Sequence, residues 1–168
     1  MAIALNFECE DLQGFADSLA KLGGVPQRCV TKAARQGATA VKSRISAMAP
    51  VRTRSLKRGM ELRGERHRGK RGKKVYEVRF RRDMNDVFQK TIKAPGTRGG
   101  SGKPSAYYPS SVEYGFMTRH PEGGFRYVEG KHFMRAAAEA IEPTVQRMMM
   151  RSLCDEMEKE WVKRNNGH

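Results

Sequence analysis

The stretch between Pro26 and Pro50 constrains this chain more than any other. Val30, Ala34, Ala38, Val41, Ile45 and Met48 recur every three or four residues, the repeat of one helical face. Pro26 suits a first turn, whose N–H groups have no helical partner, and Pro50 drives Ala49 away from helical angles. A helix is therefore predicted between them, with Arg28, Lys32, Arg35, Lys42 and Arg44 on its other face. A second helical row begins at Phe133 and continues through Ala137, Ile141, Val145, Met149, Leu153, Met157 and Trp161 in steps of four. On a helix of ~3.6 residues per turn each such step drifts by about 40°. The stripe must wind around its helix, expected at about 132–163, and meet different neighbours along its length. Pro143 removes the bond back to the carbonyl of Glu139, so a kink or a break is expected there.

Between the two helices the period changes to two. Tyr76, Val78 and Phe80 alternate with Glu77, Arg79 and Arg81, the pattern of a half-buried strand. Leu56, Met60 and Leu62 mark a weaker strand before it, and the two are expected to form a hairpin. The joining segment, 63–74, has no apolar residue and three glycines, so it cannot join a core and should project as a mobile basic arm. A further strand is expected near Val87 to Ile92. The segment 94–106, rich in Gly, Pro, Ser and Lys, reads as a long flexible loop. Nearer the start, residues 3–9 read as a strand, and Leu12, Phe15, Leu19 and Leu22 as a short helix stopped by Gly23 and Gly24. The fold class that follows is α+β: a small antiparallel sheet packed against two long helices, within one domain over 1–168.

Charge narrows the function. The chain has 33 Lys and Arg against 18 Asp and Glu, a formal net charge of +15, and only 38% hydrophobic residues. Between Arg52 and Arg82 fourteen cations meet three acids, so 14 − 3 = +11 of that charge comes from 31 residues. Such density releases counterions on meeting phosphates and favours nucleic acid without reading its sequence. Arg63, Arg66, Arg68, Lys70, Arg71, Lys73 and Lys74 are the candidate contacts; a solvated face or a dock for an acidic protein competes with that reading.

No run approaches the ~20 apolar residues of a membrane helix. Met1 to Leu12 has no basic region and carries Glu8, Glu10 and Asp11, so no secretion signal is expected. Cys9, Cys29 and Cys154 lack paired spacing and read as reduced thiols, with neither a disulfide framework nor a zinc site. His67, His120, His132 and His168 are scattered, and no metal or cofactor is expected. Glu61, Glu77, Asp83, Asp86 and Glu113 sit among arginines, where surface pairing competes with a Mg²⁺ site. The run from Gly99 to Ser105 lacks the spacing of a phosphate loop, with Pro104 in the place of its Ser or Thr.

The order of motifs resembles the tail-completion family of siphophages, small neck or minor tail components of long-tailed phages and prophages. In that family a helix runs into Ala-Pro-x-Arg-Thr-Gly-x-Leu; here Ala49, Pro50, Arg52, Thr53 and Leu56 match, and Arg54 stands where the family has glycine, the usual residue of a positive-φ turn. A second block, Tyr-Tyr followed by Val-Glu-x-Gly-Thr, is similar to Tyr107, Tyr108, Val112, Glu113 and Gly115, with Phe116 in place of threonine. The third, an aromatic-Met-Arg step opening the last helix, is Phe133, Met134 and Arg135, without the family's following proline. The resemblance covers about 25–162.

The resemblance implies a non-enzymatic virion protein acting in tail completion and head-tail joining at the neck. It further implies a homo-oligomer, a hexameric ring, with neck connector and tail-terminator or tail-tube proteins as partners and channel DNA close by. Localisation would be the virion, and the host cytoplasm during assembly. On the residues themselves, the winding face of the last helix, with Met148, Met149, Leu153, Met157 and Trp161, is the candidate contact between subunits. Two alternatives stand beside this reading: a stand-alone RNA- or DNA-binding protein, and a metal-dependent nuclease using Glu61, Glu77 or Asp83.

Overall fold

A computed structural model describes residues 25–51, 54–66, 72–91 and 105–165. The strand and helix expected within 3–22 lie outside these residues, as do Arg52, Thr53, Arg68, Lys70, Arg71 and the loop 94–104. The fold is α+β. Helix α1 (Gln27–Met48) is followed by a short helix α2 (Ser55–Gly59), strands β1 (Met60–Gly64) and β2 (Tyr76–Phe80), a 3-10 turn and helix α3 (Asn85–Phe88). Then come β3 (Gln89–Thr91), β4 (Ser105–Tyr107), α4 (Tyr108–Tyr114), β5 (Gly115–Arg119), β6 (Phe125–Glu129) and the long α5 (Phe133–Asn165). Among the described residues the antiparallel pairing is divided into three two-stranded ladders, β1-β2, β3-β4 and β5-β6. No described helix is long and apolar enough to cross a membrane.

Two compact units share these elements. One gathers residues up to Ser43, Leu62–Val78 and those from Ala140 on; the other gathers Arg44–Glu61 and Arg79–Glu139.

In the first unit α1 and α5 pack together. The buried residues of α1 there are Cys29, Ala33, Ala34 and Gly37, a face centred one residue earlier than the row of larger apolar side chains, of which Met48, in the second unit, is exposed. Small residues explain the shift. A Cβ at Gly37 would run into Met149 and would lie 3.1 Å from Val145 Cγ1, so glycine lets α5 seat its side chains directly on the α1 backbone. Further along, Cys29 and Met157 form a buried pair flanked by Val25 and Leu153. Burial raises the Cys29 thiol above its ordinary pKa.

The winding expected of the α5 stripe is present. Ser152 and Glu160 are buried, while Trp161 and Val162 are exposed. Arg28 pairs with Glu160, and Lys32 Nζ lies 2.6 Å from Glu156 Oε1, so ion pairs close the end of the interface where the apolar row has rotated away. Helix α5 is continuous through Pro143; the break considered from sequence does not occur. Pro143 and Glu139 are both exposed, so the carbonyl deprived of its donor lies on the solvent side, where water can satisfy it.

In the second unit the core is built around Phe88, which is fully buried. Its ring meets Phe80 edge-on at 5.4 Å and Tyr107 at 6.1 Å between centroids, the geometry aromatic quadrupoles favour. Burial raises the Tyr107 phenol above its ordinary pKa. Three expectations need correction here. Leu56 belongs to the helical turn α2, where it is buried, and the strand starts at Met60. Val87 and Phe88 end a helix, and β3 begins at Gln89; Met84, Val87 and Phe88 have the i, i+3, i+4 spacing of a helical turn. The segment read as a loop up to Ala106 already contains β4, paired as Thr91↔Ser105 and Lys90↔Ala106.

Candidate assembly and nucleic-acid surfaces

The first block ends α1 at Met48, and Ala49 N–H still donates to Ile45 O at 2.9 Å. Arg54 adopts φ 58, ψ 4, the left-handed conformation that the glycine of the resembling motif would take without penalty. Its carbonyl accepts from Arg58 N–H at 3.0 Å, so the turn is kept despite the arginine. Leu56, just beyond it, is buried.

The second and third blocks meet. Glu113 is buried near the end of α4, and its carboxylate accepts from the backbone N–H of Met134 at 2.9 Å and of Arg135 at 3.1 Å. These are orphan donors in the first turn of α5, and a carboxylate there also faces the positive end of the helix dipole. His132, at φ 46, holds the entry to the helix, with its carbonyl accepting from Ala136 N–H at 2.9 Å. Phe133 is buried beside this cap, and Arg135 turns outward to Glu139 Oε1 at 2.8 Å. Gly115 follows α4 at φ 89, where any Cβ would run into the carbonyl of Val128. Glu113, Gly115, Phe133 and Arg135, separate in sequence, thus form one joint. Tyr107 is part of the Phe88 core, and Tyr108 is half-buried at the start of α4.

The basic arm is anchored at its base. Gln27, at the start of α1, donates from Nε2 to Lys73 O at 3.0 Å and accepts from Gly72 N–H at 2.9 Å. Lys74 Nζ donates to Glu65 O at 2.6 Å and sits 5.8 Å from the Tyr76 ring centroid. Arg63 lies in β1 and, like Lys74, is half-buried; Arg66 and Lys73 are exposed. The ends of the arm therefore belong to the folded hairpin, and the clamp by Gln27 left no mark in composition or period.

The acids weighed for metal chemistry are otherwise engaged or scattered. Glu61 Oε1 lies 2.6 Å from Arg79 Nε, and Arg81 pairs with Asp83, holding its carboxyl below the ordinary value. Glu77 and Asp86 are exposed. Among the described residues no three of His, Cys, Asp and Glu stand close enough to share a metal ion.

Of the five α5 side chains expected to meet a neighbouring subunit, Met149, Leu153 and Met157 are engaged within the chain against α1 and Val25. Met148 is half-buried, and Trp161 keeps 38% of its surface exposed. More exposed apolar side chains lie elsewhere: Met117 at 60%, Phe125 at 65% and Tyr127 at 58% on β5-β6, with Tyr114 at 59% just before it and Val51 at 59% after α1. Sequence reasoning missed this hairpin. Its signal was present in Pro121-Glu122-Gly123-Gly124, a turn sequence between two short runs of apolar and β-prone residues.

Comparison of the chain with protein-family models, with curated proteins and with solved structures finds no match.

Proposed function

We propose that the chain is a structural subunit of a tailed phage or prophage, acting in tail completion or head-tail joining at the neck as a ring oligomer. The observation that carries this reading is the joint at Glu113. Among the described motif residues, Glu113 makes a backbone cap, Gly115 a tight turn and Phe133 a buried helix start, all of which are mechanical tasks. A hexameric ring, contacts with connector and tail-terminator or tail-tube proteins, and a place in the virion come from the resemblance and belong to the proposal. The experiment is to delete the gene in the phage or prophage that encodes it. Heads and tails that accumulate unjoined, with the protein found by mass spectrometry in complete wild-type particles, support the reading. Infectious deletion particles at normal yield overturn it.

The second reading is a basic nucleic-acid-binding protein. The clamp of Gln27 on Gly72 and Lys73 favours it, because it fixes one end of the basic segment to α1, with Arg66 and Lys73 exposed. Replacing Arg66, Arg68, Lys70 and Arg71 by serine should then weaken duplex DNA binding and flatten its salt dependence.

A further inference from the structure

The β5-β6 hairpin combines three features. It is a two-stranded ladder with no third strand among the described residues, a form only marginally stable in water unless something packs on it. Its register pairs Met117 with Tyr127 and Arg119 with Phe125, so those four side chains share one face, and all four are exposed. Such a contiguous apolar and aromatic patch marks an interaction surface.

The hairpin's charge also sets it apart from the rest of the chain. Arg119 and Arg126 balance Glu122 and Glu129, so Gly115–Glu129 contributes 2 − 2 = 0 to a chain of +15.

We propose that this face of β5-β6 is the surface through which one copy of the chain docks onto another. The inference rests on the assembly reading for the identity of the occupant and adds the surface that the reading lacked. Charge selects a second copy. Two molecules of +15 repel over most approaches, and a neutral patch lets them meet without opposing cations. Arg119 and Glu129 lie toward opposite ends of the same face, because residues of one strand facing the same way alternate and Glu129 pairs with Gly115. An antiparallel approach therefore sets the arginine of each copy toward the glutamate of the other, a two-fold contact that joins copies in pairs, so that a hexameric ring would be assembled from such pairs. A polyanion would find no net positive charge here.

The patch is also held ready. The Tyr127 hydroxyl donates to the carbonyl of Tyr114, in space left by the missing side chain of Gly115, where a Cβ would run into the Tyr127 phenol, so the central aromatic loses little freedom on binding. Backbone groups add a further contact. His120 N–H donates to Gly124 O at 3.0 Å. Ladder bonds alternate along an antiparallel pair, so the N–H and C=O of Phe125 and Tyr127 point to the outer edge, open to another strand.

Sedimentation equilibrium of the full chain at low and high salt tests this. Salt screens the repulsion between basic copies, so self-association should strengthen as salt rises, the opposite of DNA binding. The variant carrying both Phe125→Ser and Tyr127→Ser should associate at least about tenfold more weakly, with unchanged circular dichroism and melting. Met117→Leu should associate like wild type, and Met117→Arg should not associate. A wild-type chain that stays monomeric at both salts overturns the inference, as does a double variant that associates like wild type. So does a double variant that loses only single-stranded DNA binding. Association that persists in the double variant leaves the assembly reading standing on another surface. Hairpin-dependent association in a protein absent from particles would sink the assembly reading and keep the docking surface.

Discussion

The α1-α5 interface and the β5-β6 hairpin invert the usual placement of residue types. Between the helices Ser152 and Glu160 are buried, while on the hairpin Phe125 and Tyr127 are mostly open to solvent. Buried polar groups and exposed aromatics are the informative exceptions in a folded chain. At the helices the exception is resolved internally, since Glu160 has Arg28 and Glu156 has Lys32 and Lys159. At the hairpin nothing within its own ladder covers the aromatic face. One region is finished by the chain itself, and the other leaves its aromatic face to solvent, where the proposed second copy would cover it.

The largest effect that can break this comparison concerns two phenylalanines. Phe88→Ala should cost about 3–5 kcal/mol of folding stability, because it empties a fully buried site flanked by Phe80 and Tyr107. Phe125→Ala should change the stability of the dilute chain by only about 0.5 kcal/mol or less. Urea midpoints of the two variants measure both. A large loss at Phe125 would show that its ring is needed to hold the subunit, which ends the contrast.

Gly37 gives the next effect. Gly37→Val places branched methyls against Met149 and Val145. Met149 can swing aside, but Val145 has no long arm to move. Overpacking of about 1–3 kcal/mol should outweigh the few tenths gained in helix propensity. Thermal melting of the variant checks the sign. An unchanged or raised midpoint would mean that the helices are not in register at this glycine.

Much of this architecture is legible in the sequence. The helix between Pro26 and Pro50 follows from its spacing, and the strand around Val78 from its alternation. Both are local signals, and the helix and the strand form where they place them. The parts that escaped depend on distant partners. Ser105, Ala106 and Tyr107 look like the end of a loop until Gln89, Lys90 and Thr91 supply the other half of the ladder. Glu113 looks like one more surface acid until the first turn of α5 arrives at its carboxylate. The buried face of α1 was read one residue too far along because Ala33 and Gly37 carry little apolar weight, although their smallness is what admits α5. On α5 the four-residue row gave the winding correctly, but it could not say that the chain itself would use Met149, Leu153 and Met157.

A smaller effect comes from the turn before α2. Arg54 holds φ 58, a conformation that costs an ordinary L-residue about 1 kcal/mol relative to glycine. Arg54→Gly should therefore raise stability, by about 0.5 kcal/mol or less after the extra freedom of glycine in the unfolded chain is counted. Arg54→Val, with a branched Cβ in the same region, should lower it. Denaturant midpoints of both variants test the turn. A glycine variant no more stable than wild type would show that Arg54 makes a contact worth as much as its strain.

The subtlest effect is the acid response of the ion pairs that close the helical interface. Hydrogen bonds from Lys32 first and Lys159 second hold the Glu156 carboxyl at about 2, below its ordinary 4.5. A carboxyl whose pKa is lowered by folding binds its proton less readily in the folded chain than in the unfolded one. Its contribution is therefore fully present above about pH 4.5 and is lost as pH falls toward 2. Glu156→Gln should remove that part of the acid limb, so that wild type and variant converge at the low end of this window and differ most above it. Salt should shrink the difference, because Lys32 and Lys159 are largely exposed and easily screened. Melting temperatures of the two proteins across this pH range, at low and high salt, measure the effect. Parallel curves at every pH would show that the pair contributes nothing to the closure of α1 on α5, leaving Gly37, Met149 and Met157 to account for the whole of the contrast with the hairpin.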